Sequence, residues 1–388
     1  MRSLLSASAR VSPALVATLR LSIKRVVPAA GWASLDLHLH SYGSFDCPIA
    51  PADRVISAGG LGLDLMVFTD HNAVTGYTAQ VTETGLPLVV AGQEVTTTGN
   101  LFGHFNVFPL DPRRPALRAW DTSPTQLFRE AGNRGKLVLI QVNHPRMGSI
   151  GYFDQMQLDT RTDKARSAGY DPGFQLLELF NGDHIDHLDQ VQRVMQDWFA
   201  LLNAGRRYVA TGGSDAHRLP YQDPGYPRTY VLWDSATPDS KTAPRTRPDA
   251  QTILKALAAG RAVVSTGPRV ELTVDGQPVG SQVKLGPRGS VLRIRVQAAP
   301  WVDVRRVELW ENGKPVQTLA VAPRRTVERL NHTRHIQPRH DSWYVVVVRG
   351  ERPDPTQTRR VIPFAVTNPV WVDADGDGAF RGTGATGS

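Results

Sequence analysis

The chain has 388 residues, 41% hydrophobic and 21% charged, which suits a large α/β domain with a smaller companion and excludes bulk disorder. The formal net charge is +8, but Arg2, Arg10, Arg20, Lys24 and Arg25 precede Asp36 with no acid among them, so the remainder carries +3 and nucleic-acid binding is not implied. The single cysteine, Cys47, excludes an intrachain disulfide, and no apolar run approaches the roughly 20 residues of a membrane-spanning helix.

Residues 1–30 read as a basic segment, either a targeting leader or a strand remnant, since Leu19-Arg20-Leu21-Ser22-Ile23-Lys24 alternates as a strand does. The apolar core of this segment is too weak for an export signal. The expected address is therefore cytoplasmic, or exported if the start is truncated. From residue 31 to 268 short apolar runs alternate with helical patterns. Strands are expected at Leu35 to Leu39, Leu65 to Thr69, Leu88 to Ala91, Phe105 to Pro109, Leu137 to Val142, Gln175 to Phe180, Tyr208 to Thr211 and Ala262 to Ser265. Helices are expected at Ala52 to Ala58, from Pro124 to about Asn133, at Asp186 to Asn203 and at Pro248 to Ala259. Such alternation predicts parallel βα units, and their number suggests a barrel.

After Gly267-Pro268 the pattern turns β-rich, with Asp275-Gly276 and Asn312-Gly313 as turn signals. Residues 269–372 are expected to form a small antiparallel all-β domain, and 373–388 a flexible tail. Pro323 to His340 contains Arg324, Arg325, Arg329, Arg334 and Arg339; it reads as a solvated loop, with a polyanion site as the alternative. Asp373-Ala374-Asp375-Gly376-Asp377-Gly378 begins like a calcium loop, but its twelfth position is Gly384 rather than a bidentate Glu, so a turn is expected.

Asp36-Leu37-His38-Leu39-His40 places Asp36, His38 and His40 on one face of a strand, where two imidazoles can share one metal. Thr69-Asp70-His71-Asn72 follows a buried strand, at the end where α/β folds build their sites. Asp70 there suits a helix cap. Glu94, His104, Asn143-His144-Pro145 and Ser214-Asp215-Ala216-His217 also fall at strand ends. Any one of these is more often a satisfied polar residue than a ligand. Five strand ends carrying His, Glu or Asp would converge at one rim of a parallel sheet. Histidine and carboxylate without thiolate suits zinc, manganese or iron.

In order and spacing, these motifs resemble those of the PHP (polymerase and histidinol phosphatase) superfamily of metallohydrolases. Gly225-Tyr226-Pro227-Arg228-Thr229-Tyr230, Gly260-Arg261, Ser265-Thr266-Gly267-Pro268 and Thr367-Asn368-Pro369-Val370-Trp371-Val372 further resemble its CehA/McbA branch. The resemblance covers nearly everything after Gly31. It implies a distorted PHP-type barrel of seven βα units, (βα)7, followed by the small β domain, and a site of two to three divalent metal ions. His38, His40, Glu94 and Asp215 would hold the first ion, and Glu94, His104 and His144 the second, with Glu94 bridging. Asp46, His71 and His217 would hold the third. A water shared by such ions has its pKa lowered to about 7 and attacks as hydroxide. Glu94, Asp215 and His217 are the expected catalytic groups, the last two as proton shuttles. Arg146, Arg218 and Arg228 are candidates to bind phosphate, and Asn72 and Asn181 to orient substrate. His184 and His187 start a helix or reach the rim.

The expected substrate is a small-molecule ester, a phosphoester by the superfamily at large. The branch's namesakes hydrolyse aryl N-methylcarbamates, so a carbonyl ester is the alternative, with Tyr42, Phe45, Phe102 and Phe180 available to line an aryl pocket. A different class of function is a non-catalytic metal-binding scaffold presenting the β domain as a binding module. Neither nucleic acid nor a membrane is expected as partner.

Overall fold

β1 (Trp32–Leu39) is wholly buried because its two faces serve different neighbours. Leu35 and Leu37 pack with Ile253, Leu254 and Leu257, and Leu39 packs with Val55 and Ala58. Asp36, His38 and His40 point the other way, as the two-residue period requires. In this computed structural model residues 25–77, 86–99, 101–234, 248–355 and 359–382 are described. The basic segment up to residue 24, its Leu19 to Lys24 alternation and Gly384 lie outside them.

After β1 come α1 (Pro51–Gly60), β2 (Leu65–Phe68), β3 (Leu88–Ala91), β4 (Gln93–Thr96), β5 (His104–Phe108), α2 (Pro124–Gly132), β6 (Leu139–Val142) and β7 (Leu176–Asn181). α3 (Leu188–Asn203), β8 (Val209–Gly213), β9 (Arg228–Leu232), α4 (Ala250–Ala258) and β10 (Ala262–Ser265) follow. Proline at the first turn of α2 and a reciprocal Ser123–Gln126 capping box fix that helix where the sequence signals it.

β1, β2 and β3 pair in parallel, as do β6, β7 and β8. β3 and β4 are one strand interrupted at Gly92, and they join the two groups. Beyond β8 the chain returns to β1, with Asp215 N–H bonding the His38 carbonyl at 2.7 Å and His40 N–H the Ala216 carbonyl at 3.1 Å. The expected all-parallel alternation is not what forms. β5 runs antiparallel to both β4 and β6, and β9 is antiparallel to β1 and β10. The connection from Thr96 to His104 is too short for the crossover a parallel pair needs. The result is a mixed α/β structure with many strands and, among the described residues, four helices longer than one turn.

Residue 268 does not end the sheet. β11 (Arg269–Val274), β12 (Gln282–Lys284), β13 (Ser290–Gln297), β14 (Arg306–Glu311), β15 (Lys314–Ala320), β16 (Glu328–Ile336), β17 (Ser342–Arg349), β18 (Phe364–Thr367) and β19 (Val370–Asp373) complete the chain. β18 pairs with β10, so the large sheet runs from β12 through β19, β17, β18, β10, β9 and β1 to β3. β11, β13 and β16 form a second sheet packed on it, with Leu272, Ile294 and Val296 facing Val307, Val346 and Val348. β17 is buried on both faces, which accounts for its run of four valines. Its other side carries Trp343 into the core of α3, where the indole N–H bonds Asn203 Oδ1 at 2.9 Å.

The segment expected to fray is anchored as far as the structure describes it. Asp341 accepts the N–H groups of Ala374 and Arg381, and Asp373 those of Gly376 and Gly378. Among the described residues no helix is long and apolar enough to cross a membrane.

Candidate metal centre

Nine side chains foreseen as ligands converge on one rim. His38 comes from β1 and His40 directly follows it, His71 comes from the segment after β2, Glu94 from β4 and His104 from the start of β5. His144 follows β6, Asp215 and His217 follow β8, and Asp46 lies in the loop after β1. His38, His40, Glu94, His144 and Asp215 are buried; His71 and His217 are partly open, and Asp46 is the most exposed. Close approach is built into the backbone: a Cβ on Gly213 would stand 2.5 Å from His38 Cβ, so only glycine lets β8 lie against β1. Asn72, His144 and Asp215 hold positive φ values of 53°, 27° and 51°, strain of the kind that gathers at functional sites.

The ring nitrogens are assigned by their outer partners. His38 Nδ1 donates to Glu178 Oε1 at 2.8 Å and His217 Nδ1 to the Asp215 carbonyl at 2.9 Å. His40 Nδ1 meets Ser44 Oγ at 2.8 Å; that hydroxyl gives its own hydrogen to Asp70, so it accepts from the ring. Each of these three imidazoles, when neutral, therefore turns an Nε2 lone pair inward. None of those Nε2 atoms, nor Glu94 Oε2 or Asp215 Oδ1, has a hydrogen-bond partner, although all are buried. Buried acceptors left unpaired are rare because each costs about 1–3 kcal/mol.

What they face is other acceptors. His38 Nε2 lies 3.2 Å from Asp215 Oδ1 and 3.4 Å from Glu94 Oε1. His40 Nε2 lies 3.0 Å from Asp215 Oδ1 and 3.4 Å from Glu94 Oε2. His104 Nδ1 and His144 Nε2 stand 3.2 and 3.5 Å from Glu94 Oε1. His71 Nε2 and His217 Nε2 are each 3.4 Å from Asp46 Oδ2. Two atoms bound at about 2.1 Å to one ion, at tetrahedral or octahedral angles, are about 3.0–3.4 Å apart. The spacing is that of ligand atoms around a cation, and the donor set of imidazole and carboxylate fits a divalent ion. Three groupings close enough to hold an ion recur here: His38, His40 and Glu94; His71, Glu94 and His104; His40, His71 and His217.

Electrostatics follow the same geometry. Burial pushes the His38 imidazole down, but Asp215, Glu178 and Glu94 outweigh it and hold its pKa well above the ordinary value. Burial lowers His40 to about 4, against the pull of Asp215 and Glu94. Glu94 and Asp215 resist burial because His38 and its neighbours hold both carboxyls well below their usual range. The carboxylates are thus anionic and His40 neutral, the states that metal ligation requires, while the same carboxylates favour a proton on His38 where a cation would otherwise sit.

One supporting residue, Glu178, was not singled out in the sequence, and two that were, Asp36 and Asp70, have other roles than the sequence suggested. Glu178 takes His38 Nδ1–H, the His144 N–H at 2.9 Å and the Asn181 amide at 3.0 Å. Its signal was one carboxylate inside the apolar run Leu176 to Phe180. Asp36 is not turned to the cluster: it accepts from Ser214 N and Oγ, Gly225 N and His38 N, tying the β8 loop to β1. Asp70 caps no helix, since none follows in residues 71–77. It orders the loop after β1 through Ser41 and Ser44, and the segment that follows it through Thr75.

The candidate substrate groups divide. Arg146 is held by Asp197 at 2.7 Å and by Asp154 at 3.2 Å, away from the cluster. Arg228 is buried against the Gly225 and Leu61 carbonyls and Ser34 Oγ. Asn72 spends both ends of its amide on the Thr96 backbone, and Asn181 braces Asp215 Oδ2 at 3.0 Å. Four side chains expected to touch substrate are therefore committed to holding loops and ligands. Arg218, exposed beside His217, is the one candidate cation left at the rim. Phe45 is 85% exposed and stacks on the His71 ring at 5.3 Å. Phe180 lies in the core and Phe102 is partly buried against it, so neither lines the mouth. His184 and His187 sit in the connection to α3, with His184 half-buried and His187 exposed.

No family model and no curated protein matches the chain. Among solved structures it is similar to a two-domain protein from Bacteroides vulgatus ATCC 8482 containing a predicted PHP-like metal-dependent phosphoesterase. That likeness has 17% identity and a TM-score of 0.45, and covers 92% of this chain and 100% of that one. It is also similar to PsfC from Pseudomonas syringae PB-5123, at 17% identity and a TM-score of 0.39, over 58% of this chain and 88% of that one.

Proposed function

We propose that this protein is a metal-dependent hydrolase of the PHP type, using two to three divalent ions to cleave phosphoesters of small molecules. The observation that carries the reading is that Nε2 of His38 and of His40 converge with Glu94 and Asp215 oxygens at 3.0–3.4 Å, the spacing of ligand atoms about one cation, with both Nε2 atoms and Asp215 Oδ1 buried and without a hydrogen-bond partner. In this reading the strand pairings from β1 to β8 close, through the bonds from Asp215 and Ala216 to β1, into the distorted seven-stave barrel of that superfamily. His38, His40, Glu94 and Asp215 hold the first ion. Glu94, His104 and His144 hold the second, and Asp46, His71 and His217 the third.

Divalent ions bound there supply Lewis acidity and a water ionised near neutral pH, in the manner of multinuclear hydrolases. The chain's own residues do the rest. Glu94 presents one oxygen to each neighbouring group, Glu178 and Ser44 fix the rings of His38 and His40, and Asn143 braces Glu94 Oε1 at 2.8 Å. In this reading Arg218, exposed beside His217, meets an anionic group entering at the rim. A second reading, hydrolysis of aryl esters or carbamates as in the CehA/McbA branch, is favoured by the exposed Phe45 beside His71 and by Tyr42, 66% exposed.

The test is hydrolysis by manganese- or zinc-loaded protein of aryl phosphate mono- and diesters beside aryl acetates and N-methylcarbamates. Phosphate turnover lost on chelation supports the first reading. Turnover confined to carbonyl substrates replaces it with the second, and turnover of neither class leaves a binding scaffold.

A further inference from the structure

A second candidate site lies among the C-terminal strands and shares no residue with the metal centre. Between the segment 300–305, the loop before β16 and the turn after β17 is a cleft of about 650 Å³, the size of a small-molecule site. Five arginines line it, Arg305, Arg324, Arg325, Arg329 and Arg352, with one carboxylate, Asp303. That carboxylate is already used: Arg305 binds it at 2.7 Å and it accepts the N–H groups of Glu351 and Arg352. Among the described residues Arg324, Arg325 and Arg352 have no ion-pair partner, and all three are exposed. With the body of the chain near charge balance, this is a local concentration of cations.

The cleft is built rather than incidental. Arg329 is buried, and its Nη2 donates to the carbonyls of Ala299 at 2.6 Å and Val302 at 3.1 Å, while Nη1 donates to the Arg324 carbonyl. A buried guanidinium thus fixes the loop that carries Arg324 and Arg325. Its Nε and the indole Nε1 of Trp301 are buried donors with no hydrogen-bond partner. Buried donors of this kind cost about 1–3 kcal/mol each unless an acceptor reaches them. Four prolines, Pro300, Pro323, Pro353 and Pro355, stiffen the walls, so little ordering is needed on binding.

From this geometry we infer that the cleft binds a small organic anion bearing at least two oxyanion groups on a ring-containing skeleton. Guanidinium forks match phosphate, sulfate or carboxylate oxygens, and the Trp301 and proline faces suit the ring. The basic stretch that reads in the sequence as a solvated loop is then one wall of a binding site.

The probe is inositol hexakisphosphate, titrated into the metal-loaded full-length protein and followed by tryptophan fluorescence and calorimetry. Wild type is expected to bind one equivalent, with a fluorescence change absent in Trp301→Phe. The double variant R324E/R325E is expected to lose at least tenfold in affinity while keeping wild-type melting temperature and wild-type turnover at the metal centre. Equal affinity in wild type and R324E/R325E would overturn the proposal, placing any binding at the metal centre instead. So would a wild-type response reproduced by sodium chloride at matched ionic strength. Should R324E/R325E melt early, Arg352→Ala, on the opposite wall, supplies the same comparison.

Discussion

Removing the Glu178 carboxylate tests whether the imidazoles are held for a cation. In Glu178→Ala two buried donors, His38 Nδ1–H and the His144 N–H, lose acceptors at 2.8 and 2.9 Å. Asn181 keeps its bond to Asp215. Two stranded donors at about 1–3 kcal/mol each predict a loss of roughly 2–6 kcal/mol in folding stability. The freed His38 ring also loses its fixed tautomer, so metal affinity falls about 10–100-fold, or about 1.4–2.7 kcal/mol. Glu178→Gln keeps one acceptor but aims an amide NH2 at the other donor, and an intermediate loss is expected. The assay is competition for zinc or manganese against a chromogenic chelator, with circular dichroism confirming the fold. A folded Glu178→Ala protein with metal affinity within about twofold of wild type would refute the orienting role.

Other outcomes follow from the same geometry. Glu94→Ala removes oxygens that stand 3.2–3.5 Å from ring nitrogens of His38, His40, His104 and His144, and is expected to abolish both turnover and at least two equivalents of metal by elemental analysis. Asp46→Asn weakens only the oxygen shared by His71 and His217, so one equivalent is expected to go while the others stay. Arg228→Ala strands the Gly225 and Leu61 carbonyls and Ser34 Oγ; it is expected to cost about 2–4 kcal/mol in denaturant unfolding with kcat/KM of the folded enzyme within about twofold. Arg218→Ala is expected to leave the melting temperature unchanged and raise KM for phosphate esters in steady-state assays. Metal at about 100 times its Kd adds about 2.7 kcal/mol to stability, so chelation is expected to lower the melting temperature measurably.

Much of the candidate site was legible because holding a metal would confine the chemistry to a few residue types at strand ends. His38 and His40 declared themselves by a two-residue spacing between leucines, and His71 and Asp215 by following buried apolar strands. Direction was less legible. Nothing local marks β5 as antiparallel; a short connection decides that. Strands such as Lys314–Ala320 and Glu328–Ile336, mostly exposed or intermediate, lack the apolar runs that reveal strands, and are strands by their pairing with β14 and β13. The arginines and asparagines misled for a different reason. A polar residue near a site has carbonyls and carboxylates to satisfy, and the sequence shows neither Asp197 beside Arg146 nor the Thr96 backbone beside Asn72. Glu178 was hidden by the converse, a charge in a core strand whose partner lies 140 positions away.

The central claim is that these nine side chains hold catalytic divalent ions. Elemental analysis of the purified protein, stripped by chelation and then retitrated with manganese or zinc while aryl phosphate turnover is recorded, tests it most directly. Two to three equivalents per chain are expected, with activity absent after stripping and returning as the sites fill. A stripped protein that keeps its turnover, or a chain that takes up no stoichiometric metal, would contradict it.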